Sequence, residues 1–252
     1  KNNATLSTKG IELSVGWRQT VSNSFGYNVN LIFSDNKTTI KKYNNPAKLI
    51  SNFYEGQTYG EIWGFETEGL FQTKQEAVEW VDQSQLYSVW GAGDVKYKDL
   101  NGDGKITRGN QTVGDPGDLK VIGNSSPRFL YGLNLSMNYK LFDFSMFWQG
   151  VGKRDLWMGS QVFFGYGAAW TAVVLQEHSV NFWSPENTGG YFARPYLTAE
   201  NNKNQQVQSR FLQDASYLRL KNMQLGFNVP QQLTKKVGIE RTRLYVSGEN
   251  IL

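Results

Sequence analysis

The chain has 252 residues, of which 39% are hydrophobic, 14% aromatic and only 19% charged, and its net charge is +4. It contains no cysteine, which excludes disulfide bonds and thiolate metal sites, and its single histidine, His178, excludes sites built from several histidines. The basic residues are spread along the chain without a cluster, so we expect no nucleic-acid partner.

Strict alternation of apolar and polar residues predicts three β-hairpins. The first consists of "IELSVGW" and "FGYNVNLIFS", and the second of "YGLNLSMNYK" and "FDFSMFWQG" with a turn at Leu141. The third runs from about Tyr217 to Val229 and from about Thr242 to the end. Its alternation slips near Lys221 and Asn222, which predicts a β-bulge. Its connection, "PQQLTKKVGIE", is long enough for one helical turn.

Two long segments, about 35–127 and 150–210, separate the hairpins. Both are polar, rich in glycine and dotted with aromatic residues, and "TKQEAVEWVDQSQ" is the best helix candidate. Loops of this length are unusual in a compact soluble domain. They are typical of outer-membrane barrels, which have short periplasmic turns and long extracellular loops.

The two faces of the predicted strands also favour a barrel over a soluble sandwich. One face carries Phe, Tyr, Trp, Leu and Met, which suit lipid and its two interfaces. The other carries mostly Gly, Asn and Ser, which suit a watery lumen, as at Asn28, Asn30, Asn134 and Asn138. We therefore predict an all-β fold, namely an antiparallel transmembrane β-barrel fragment with long extracellular loops.

Several phrases, in this order along the chain, resemble the C-terminal barrel region of SusC/RagA-type TonB-dependent outer-membrane transporters. They are "NLIFSDNKTTIKKY", "GEIWGFETEGLFQT", "GDVKYKDLNGDGKIT", "VIGNSSPRFLYGLNLSMNYKLFDFSMFWQG", "FWSPEN" and "SYLRLKNMQLGFNVP…RTRLYVSGENIL". The resemblance covers nearly the whole chain and implies part of a 22-stranded barrel closed by an N-terminal plug. We expect residues 1–252 to be a C-terminal portion of that barrel, with about six strands and without the plug and the final strands.

The resemblance also implies a function and partners. It implies TonB-dependent uptake of oligosaccharides or peptides across the bacterial outer membrane, with a SusD-like surface lipoprotein as partner, with membrane lipid around the barrel, and with TonB engaging the missing N-terminal part. The sequence has no nucleophile-elbow or phosphate-loop motif, so we expect no enzyme activity. The alternative is a soluble or cell-surface β-rich module that binds glycans and contains a structural calcium loop.

The stretch "YKDLNGDGKIT" predicts a calcium loop. Asp99, Asn101 and Asp103 occupy the first, third and fifth positions of the twelve-residue calcium template, and a glycine follows at the sixth. Lys105 would offer its backbone carbonyl at the seventh position, and Thr107 falls at the ninth. The expected role is to fasten an extracellular loop with a structural Ca²⁺ ion. The alternative is a metal-free turn, because Asp, Asn and Gly favour turns in any case.

The weak point of this calcium loop is its twelfth position, where the template needs a bidentate acid. Asn110 stands there and lowers the charge of the site. Asp118 is the expected replacement ligand if the chain folds back, and Asp94, which precedes the loop, is a second possibility. We therefore predict a site of modest affinity.

Aromatic side chains of the second long segment are weak candidates for substrate contact, since their faces can stack on sugar rings: Trp157, Trp170 and Trp183. For most aromatic residues of this segment the favoured interpretation is packing, because a long loop needs a core of its own. His178 is interpreted as a packed or solvated loop residue. The carboxylates Glu61, Glu66 and Glu68 are interpreted as ordinary surface groups.

Overall fold

The computed structural model describes residues 4–165, 176–196 and 200–252. Within these ranges the strands are, in chain order, β1 (Ala4–Ser22), β2 (Phe25–Tyr43), β3 (Glu61–Phe65), β4 (Thr67–Leu70), β5 (Val95–Tyr97), β6 (Leu119–Asn124), β7 (Arg128–Tyr139), β8 (Phe142–Lys153), β9 (Asp155–Trp157), β10 (Leu212–Asp214), β11 (Tyr217–Asn228) and β12 (Arg243–Glu249). The helices are α1 (Lys74–Glu79), α2 (Gln161–Phe164), α3 (Gln176–Ser179), α4 (Asn201–Asn204) and α5 (Gln231–Thr234), which a 3₁₀ turn (Lys235–Val237) follows.

None of the helices described for this chain has the length and apolar character needed to cross a membrane.

The chain divides into two compact units. We call the first the sheet unit, which comprises Thr8–Thr38, Pro127–Arg154 and Ala215–Leu252. We call the second the loop unit, which comprises Lys1–Ser7, Thr39–Ser126 and Asp155–Asp214. The three predicted hairpins form the sheet unit, and most of the two long segments forms the loop unit.

The sheet unit is built on a six-stranded sheet with the order β1-β2-β7-β8-β11-β12. The predicted turn at Leu141 is confirmed, and the preceding Lys140 adopts a left-handed conformation with φ of 53°. The predicted bulge is confirmed as a register shift between Leu220 and Asn222. The predicted helical turn between β11 and β12 is also confirmed.

The long strands change the predicted limits of the long segments. β2 continues to Tyr43 and β8 to Lys153, so the connections begin later than positions 35 and 150. Strand pairing through "DNKTTIKKY" explains this difference: the stretch is mostly polar, but it continues β2, and its Ile40 is fully buried.

The loop unit contains three two-stranded sheets, β3 with β6, β4 with β5 and β9 with β10. Helix α1 lies within the predicted stretch but has only 6 residues, and its N-terminus has a variant of the capping box. The backbone N–H of Glu76 donates to Thr73 Oγ1 at 3.0 Å, while Glu76 Oε2 accepts from the N–H of Gln72 at 2.6 Å. The unit also has its own apolar core, as expected for such long segments: Phe65, Leu70, Val95, Tyr97, Ile106, Phe164, Phe182, Trp183, Phe192, Ala193 and Phe211.

Candidate functional site

One face of the sheet is apolar from strand to strand. We call it the outward face. In the centre of the sheet a single register row crosses β2, β7, β8 and β11: Val29, Leu135, Met146 and Met223. Towards the hairpin turns another row is entirely aromatic: Phe25, Tyr139, Phe142 and Phe227. Aromatic residues return on the same face towards the long connections: Phe33, Tyr131 and Trp148.

The spacing of these two aromatic zones matches the apolar band of a membrane barrel. Phe25 and Phe33 are eight residues apart on β2, which corresponds to about 27 Å along the strand. Strands tilted by about 40° would reduce this to about 21 Å across the membrane, close to the ~25 Å band of outer-membrane barrels. The outward face is therefore the surface of a transmembrane strand assembly.

The bulge in β11 keeps this face continuous. Leu218 and Leu220 lie at even positions, whereas Met223 and Leu225 lie at odd positions. A strand without a bulge would place these two pairs on opposite faces, because the side-chain period is two. The extra residue at the bulge shifts the alternation of side chains by one position. Leu220 therefore pairs with Trp148 and Met223 pairs with Met146, and all four side chains lie on the outward face.

The opposite face is mostly polar, as the lumen prediction requires, with Phe147 as an aromatic exception in the row of Asn134 and Asn222. Asn28 pairs with Ser136, and Asn30 pairs with Asn134. The row of Asn28 and Ser136 continues across the sheet with Ser145, Gln224 and Ser247. The four asparagines of the sequence prediction thus lie on one face: Asn28, Asn30, Asn134 and Asn138.

A cross-strand ion pair lies on this polar face above a glycine. Arg243 on β12 reaches Asp143 on β8, with Nε 3.0 Å from Oδ2, and passes over Gly226 on the intervening strand β11. A Cβ atom at Gly226 would lie 2.5 Å from Arg243 Nη2 and 2.6 Å from both carboxylate oxygens of Asp143. Glycine is required here because the bidentate pair occupies the space of a side chain.

In the predicted calcium loop, the side-chain oxygens of Asp99, Asn101 and Asp103 accept hydrogen bonds from backbone N–H groups of the same loop. Asp99 accepts from the N–H groups of Gly102 at 2.7 Å and Gly104 at 2.8 Å. Asn101 Oδ1 accepts from the N–H of Asp103 at 3.0 Å, and Asp103 Oδ1 accepts from the N–H of Lys105 at 2.9 Å. The backbone N–H bonds, led by that of Gly104, lower the pKa of Asp99 and favour its carboxylate.

The remaining predicted ligands have other partners. Asn110 donates from Nδ2 to Asp115 at 2.7 Å. Asp118 is fully buried, and its two oxygens accept from the N–H groups of Leu100 at 2.8 Å and Thr107 at 2.7 Å. Asp118 therefore fastens both ends of the loop directly, through hydrogen bonds.

Chemically, the exposed oxygens of the loop fit a hard cation in part. Every side-chain oxygen of Asp99, Asn101 and Asp103 that accepts one hydrogen bond retains a second lone pair. Ca²⁺ takes six to eight oxygen ligands, so backbone carbonyls or water would have to complete the shell. Among the described residues no group of three or more His, Cys, Asp or Glu side chains has the arrangement of a metal site.

Asp94, the second possible replacement ligand, belongs to a buried ion pair that sequence reasoning missed. Its Oδ2 lies 2.8 Å from Lys203 Nζ, and both side chains are almost completely buried. Asp94 Oδ1 also accepts from Tyr196 Oη at 2.9 Å and from Asn204 Nδ2 at 2.8 Å. Burial, together with the charge of Asp94, raises the pKa of Tyr196 and keeps its hydroxyl protonated as a donor.

Lys203 occupies an aromatic cage. Its Nζ lies 4.4 Å from the ring centroid of Tyr196 and 5.4 Å from those of Tyr87 and Trp90, and it donates to the carbonyl of Val89 at 2.8 Å. These contacts compensate for the desolvation of the ammonium group. The cage thereby joins two stretches of the loop unit that are more than a hundred residues apart in sequence.

The tryptophan candidates for substrate contact lie largely within packing contacts. Trp183 is buried and donates from Nε1 to Gln72 at 3.2 Å, and Trp157 is half-buried with its ring 6.1 Å from that of Phe164. Trp170 lies outside the described residues. Substrate contact by these three residues therefore remains a prediction.

Three of the other titratable groups considered above have structural partners: His178, Glu61 and Glu66. His178 lies 4.9 Å, centroid to centroid, from Phe192, and its Nε2 is 2.8 Å from the carbonyl of Phe163. Glu66 pairs with Lys120, chiefly through a side-chain hydrogen bond that lowers the pKa of the carboxyl. Burial, together with the hydrogen bond to Glu61, raises the pKa of Tyr54 to about 12.

An antiparallel sheet with a membrane-facing apolar side, a polar opposite side and long structured connections defines a segment of a transmembrane β-barrel. No family model matches the chain. Curated proteins do match it along its length. TonB-dependent receptor P3 of Formosa agariphila is 29% identical over 265 residues, covering 100% of this chain and 24% of the receptor. TonB-dependent receptor P26 of the same organism is 24% identical, covering 100% of this chain and 25% of the receptor.

Solved structures show the same fold. A chain of the RagAB peptide importer in its open-open state superposes with a TM-score of 0.68 at 17% identity, covering 99% of this chain and 25% of that chain. A chain of the RagAB peptide transporter gives a TM-score of 0.69 at 18% identity, covering 99% of this chain and 26% of that chain.

The chain is therefore similar to TonB-dependent receptors in particular, and the resemblance to SusC/RagA-type transporters is confirmed. These relatives are receptors and importers, in agreement with the expectation that the chain is not an enzyme. The chain spans about a quarter of the length of the curated relatives that it matches.

Proposed function

We propose that this chain is part of an outer-membrane nutrient importer that takes up oligosaccharides or peptides by TonB-dependent transport. The observation that carries the proposal is the continuous apolar outward face, with aromatic residues at both ends, in a chain related to TonB-dependent receptors over its full length. The polar face, with its asparagines and serines, would line the watery interior of the barrel.

The partner in this proposal is a SusD-like surface lipoprotein that covers the extracellular mouth of the barrel. The RagAB importer supports this partnership by analogy, because this chain has the fold of a segment of it. The loop unit, with its own apolar core and buried ion pair, would provide a rigid surface for such a partner. TonB would engage a part of the full-length protein that precedes this segment.

The test uses the full-length protein in its native host. We expect it to fractionate with outer membranes and to need detergent for extraction, and we expect its deletion to abolish growth on at least one member of a panel of glycans and peptides. Release into buffer without detergent would overturn the importer proposal and favour the soluble or cell-surface glycan-binding module. Growth on every substrate at the parental rate would exclude an essential import role on that panel.

Structural calcium is part of the proposal. Asp99, Asn101 and Asp103 would hold the ion, which would restrain the loop without taking part in chemistry. We expect chelation to increase protease cleavage between residues 99 and 107 while the strands of the sheet unit remain protected. The variant Asp103→Ala should be cleaved equally with and without the chelator, and a chelator effect that persists in this variant would refute the site.

A further inference from the structure

The β1–β2 hairpin carries two lysines directly opposite each other. Thr8 Oγ1 lies 2.8 Å from Thr38 Oγ1, which aligns these two residues across the hairpin. A Cβ atom on Gly10 would lie 2.8 Å from Asn36 Cβ, which shows the same alignment two residues further on. Lys9 therefore stands opposite Lys37, on the side of the hairpin away from the two threonines.

The lysine pair continues the outward face of the sheet. Because strand residues alternate, Lys9 shares its face with Ile11 and Leu13, and Lys37 shares its face with Leu31 and Phe33. Lys37 lies four residues beyond Phe33, which is about 14 Å along the strand and about 10 Å along the membrane normal for a tilt of about 40°. At that distance from the aromatic zone, Lys37 and the opposing Lys9 lie at the level of the lipid headgroups.

No acidic group of the described residues neutralises this pair. Lys9 and Lys37 are both exposed, and neither forms an ion pair within the described part of the chain. The acidic residue nearest in sequence on β2, Asp35, is held by Arg128, whose Nη2 lies 2.5 Å from Asp35 Oδ2. Like charges directly opposite each other destabilise a strand pair, so an anion bound between them would stabilise the hairpin.

An apolar groove of about 580 Å³ lies on the same face of the sheet unit, on the membrane side of the lysines. Its lining includes Leu13, Val15, Leu31, Tyr131 and Leu133. A pair of ammonium groups next to an apolar groove is complementary to a phosphorylated lipid, in which an anionic headgroup is attached to acyl chains.

We propose that Lys9 and Lys37 bind the phosphate of a lipid headgroup in the outer leaflet, with one acyl chain in the groove below. This inference rests on the proposed function, because it requires the outward face to lie in the membrane and the long connections to lie outside. Lysine suits the role as a compact cation that binds phosphate as a point charge. The bound lipid would anchor the projecting hairpin against the membrane surface.

The experiment uses the full-length transporter in nanodiscs of phosphatidylcholine that contain a minor fraction of phosphatidic acid. Native mass spectrometry measures how much phosphatidic acid the protein retains on release from the nanodisc. We expect Lys9→Ala and Lys37→Ala each to lower retention about fivefold, and the double variant to lower it further. The matched control is Lys236→Ala, an exposed lysine in the connection between β11 and β12 at the opposite edge of the sheet, which should retain lipid like the parent.

Two results would overturn the lipid site. One is parental retention of phosphatidic acid by the Lys9→Ala/Lys37→Ala variant, and the other is an equal loss in Lys236→Ala. Either result in a protein that still fractionates with outer membranes leaves the importer proposal standing. Failure of the parent to enter the outer membrane would instead refute the importer proposal itself.

Discussion

The buried pair of Asp94 and Lys203 yields the sharpest prediction about stability. In Lys203→Met the aromatic cage of Tyr87, Trp90 and Tyr196 would receive an unbranched apolar side chain of similar reach, so packing should largely persist. The carboxylate of Asp94 would remain buried without its cation. The substitution therefore isolates the electrostatic loss from a loss of volume.

The magnitude follows from the complete burial of both side chains. Removing one partner of a buried ion pair costs about 3–5 kcal/mol, because the other charge is left uncompensated. Local opening of the loop unit around β5 and α4 should become easier by this amount, which corresponds to an increase in opening of about a hundredfold to several thousandfold. Tyr196 and Asn204 would still donate hydrogen bonds to Asp94 in the variant. Because these bonds partly compensate the buried carboxylate, we expect the free-energy cost to lie towards the lower end of this range.

Amide hydrogen exchange of the detergent-purified full-length protein measures this change. Peptides that cover residues 87–97 and 200–208 should exchange faster in Lys203→Met, while peptides from β7 should not change. Lys120→Met is the matched control, because Lys120 pairs with Glu66 at the surface. An exposed pair contributes at most about 1 kcal/mol, so exchange near Lys120 should rise less than about fivefold. The reasoning would be refuted if Lys203→Met exchanged no faster than this control.

Three further predictions concern the sheet and the capping box of α1. Val29→Arg, at the centre of the outward face, should lower the stability of the folded protein by about 2–4 kcal/mol and reduce its amount in the outer membrane, whereas Asn28→Arg on the polar face should be tolerated. Equal amounts of the two folded variants in the outer membrane would contradict the assignment of faces. Gly226→Val should displace the Arg243 ion pair, destabilise the β11–β12 pairing by about 1–3 kcal/mol and accelerate exchange in β12; unchanged exchange would argue against that steric role. The pKa of Glu76 is lowered, chiefly by its bond to a lysine, so its contribution to stability is present above its unfolded pKa and is lost as pH falls through the folded value. Protection of the α1 amides, after correction for the intrinsic pH dependence of exchange, should therefore fall below about pH 4, and a Glu76→Gln variant should lose that fall.

The sequence by itself determined the strands, their faces and the similarity of the chain to TonB-dependent transporters. These features are local, since the side-chain period of two needs only neighbouring residues, and even the bulge near Lys221 is visible as a slip in that period. The hairpin turns and the helical turn before β12 follow from short stretches for the same reason. Lys9 and Lys37 of the β1–β2 hairpin are visible in the sequence, but only the pairing register of the two strands shows that they lie opposite each other.

Only the tertiary structure decided which polar groups meet. Asp118 resembled a distant metal ligand in sequence, yet it closes the loop through two backbone N–H groups, and Asn110 bonds to Asp115. Asp94 and Lys203 are separated by more than a hundred residues, and no periodicity links them. A buried charge is tolerated only where partners surround it in space, so its role depends on the packing of distant segments.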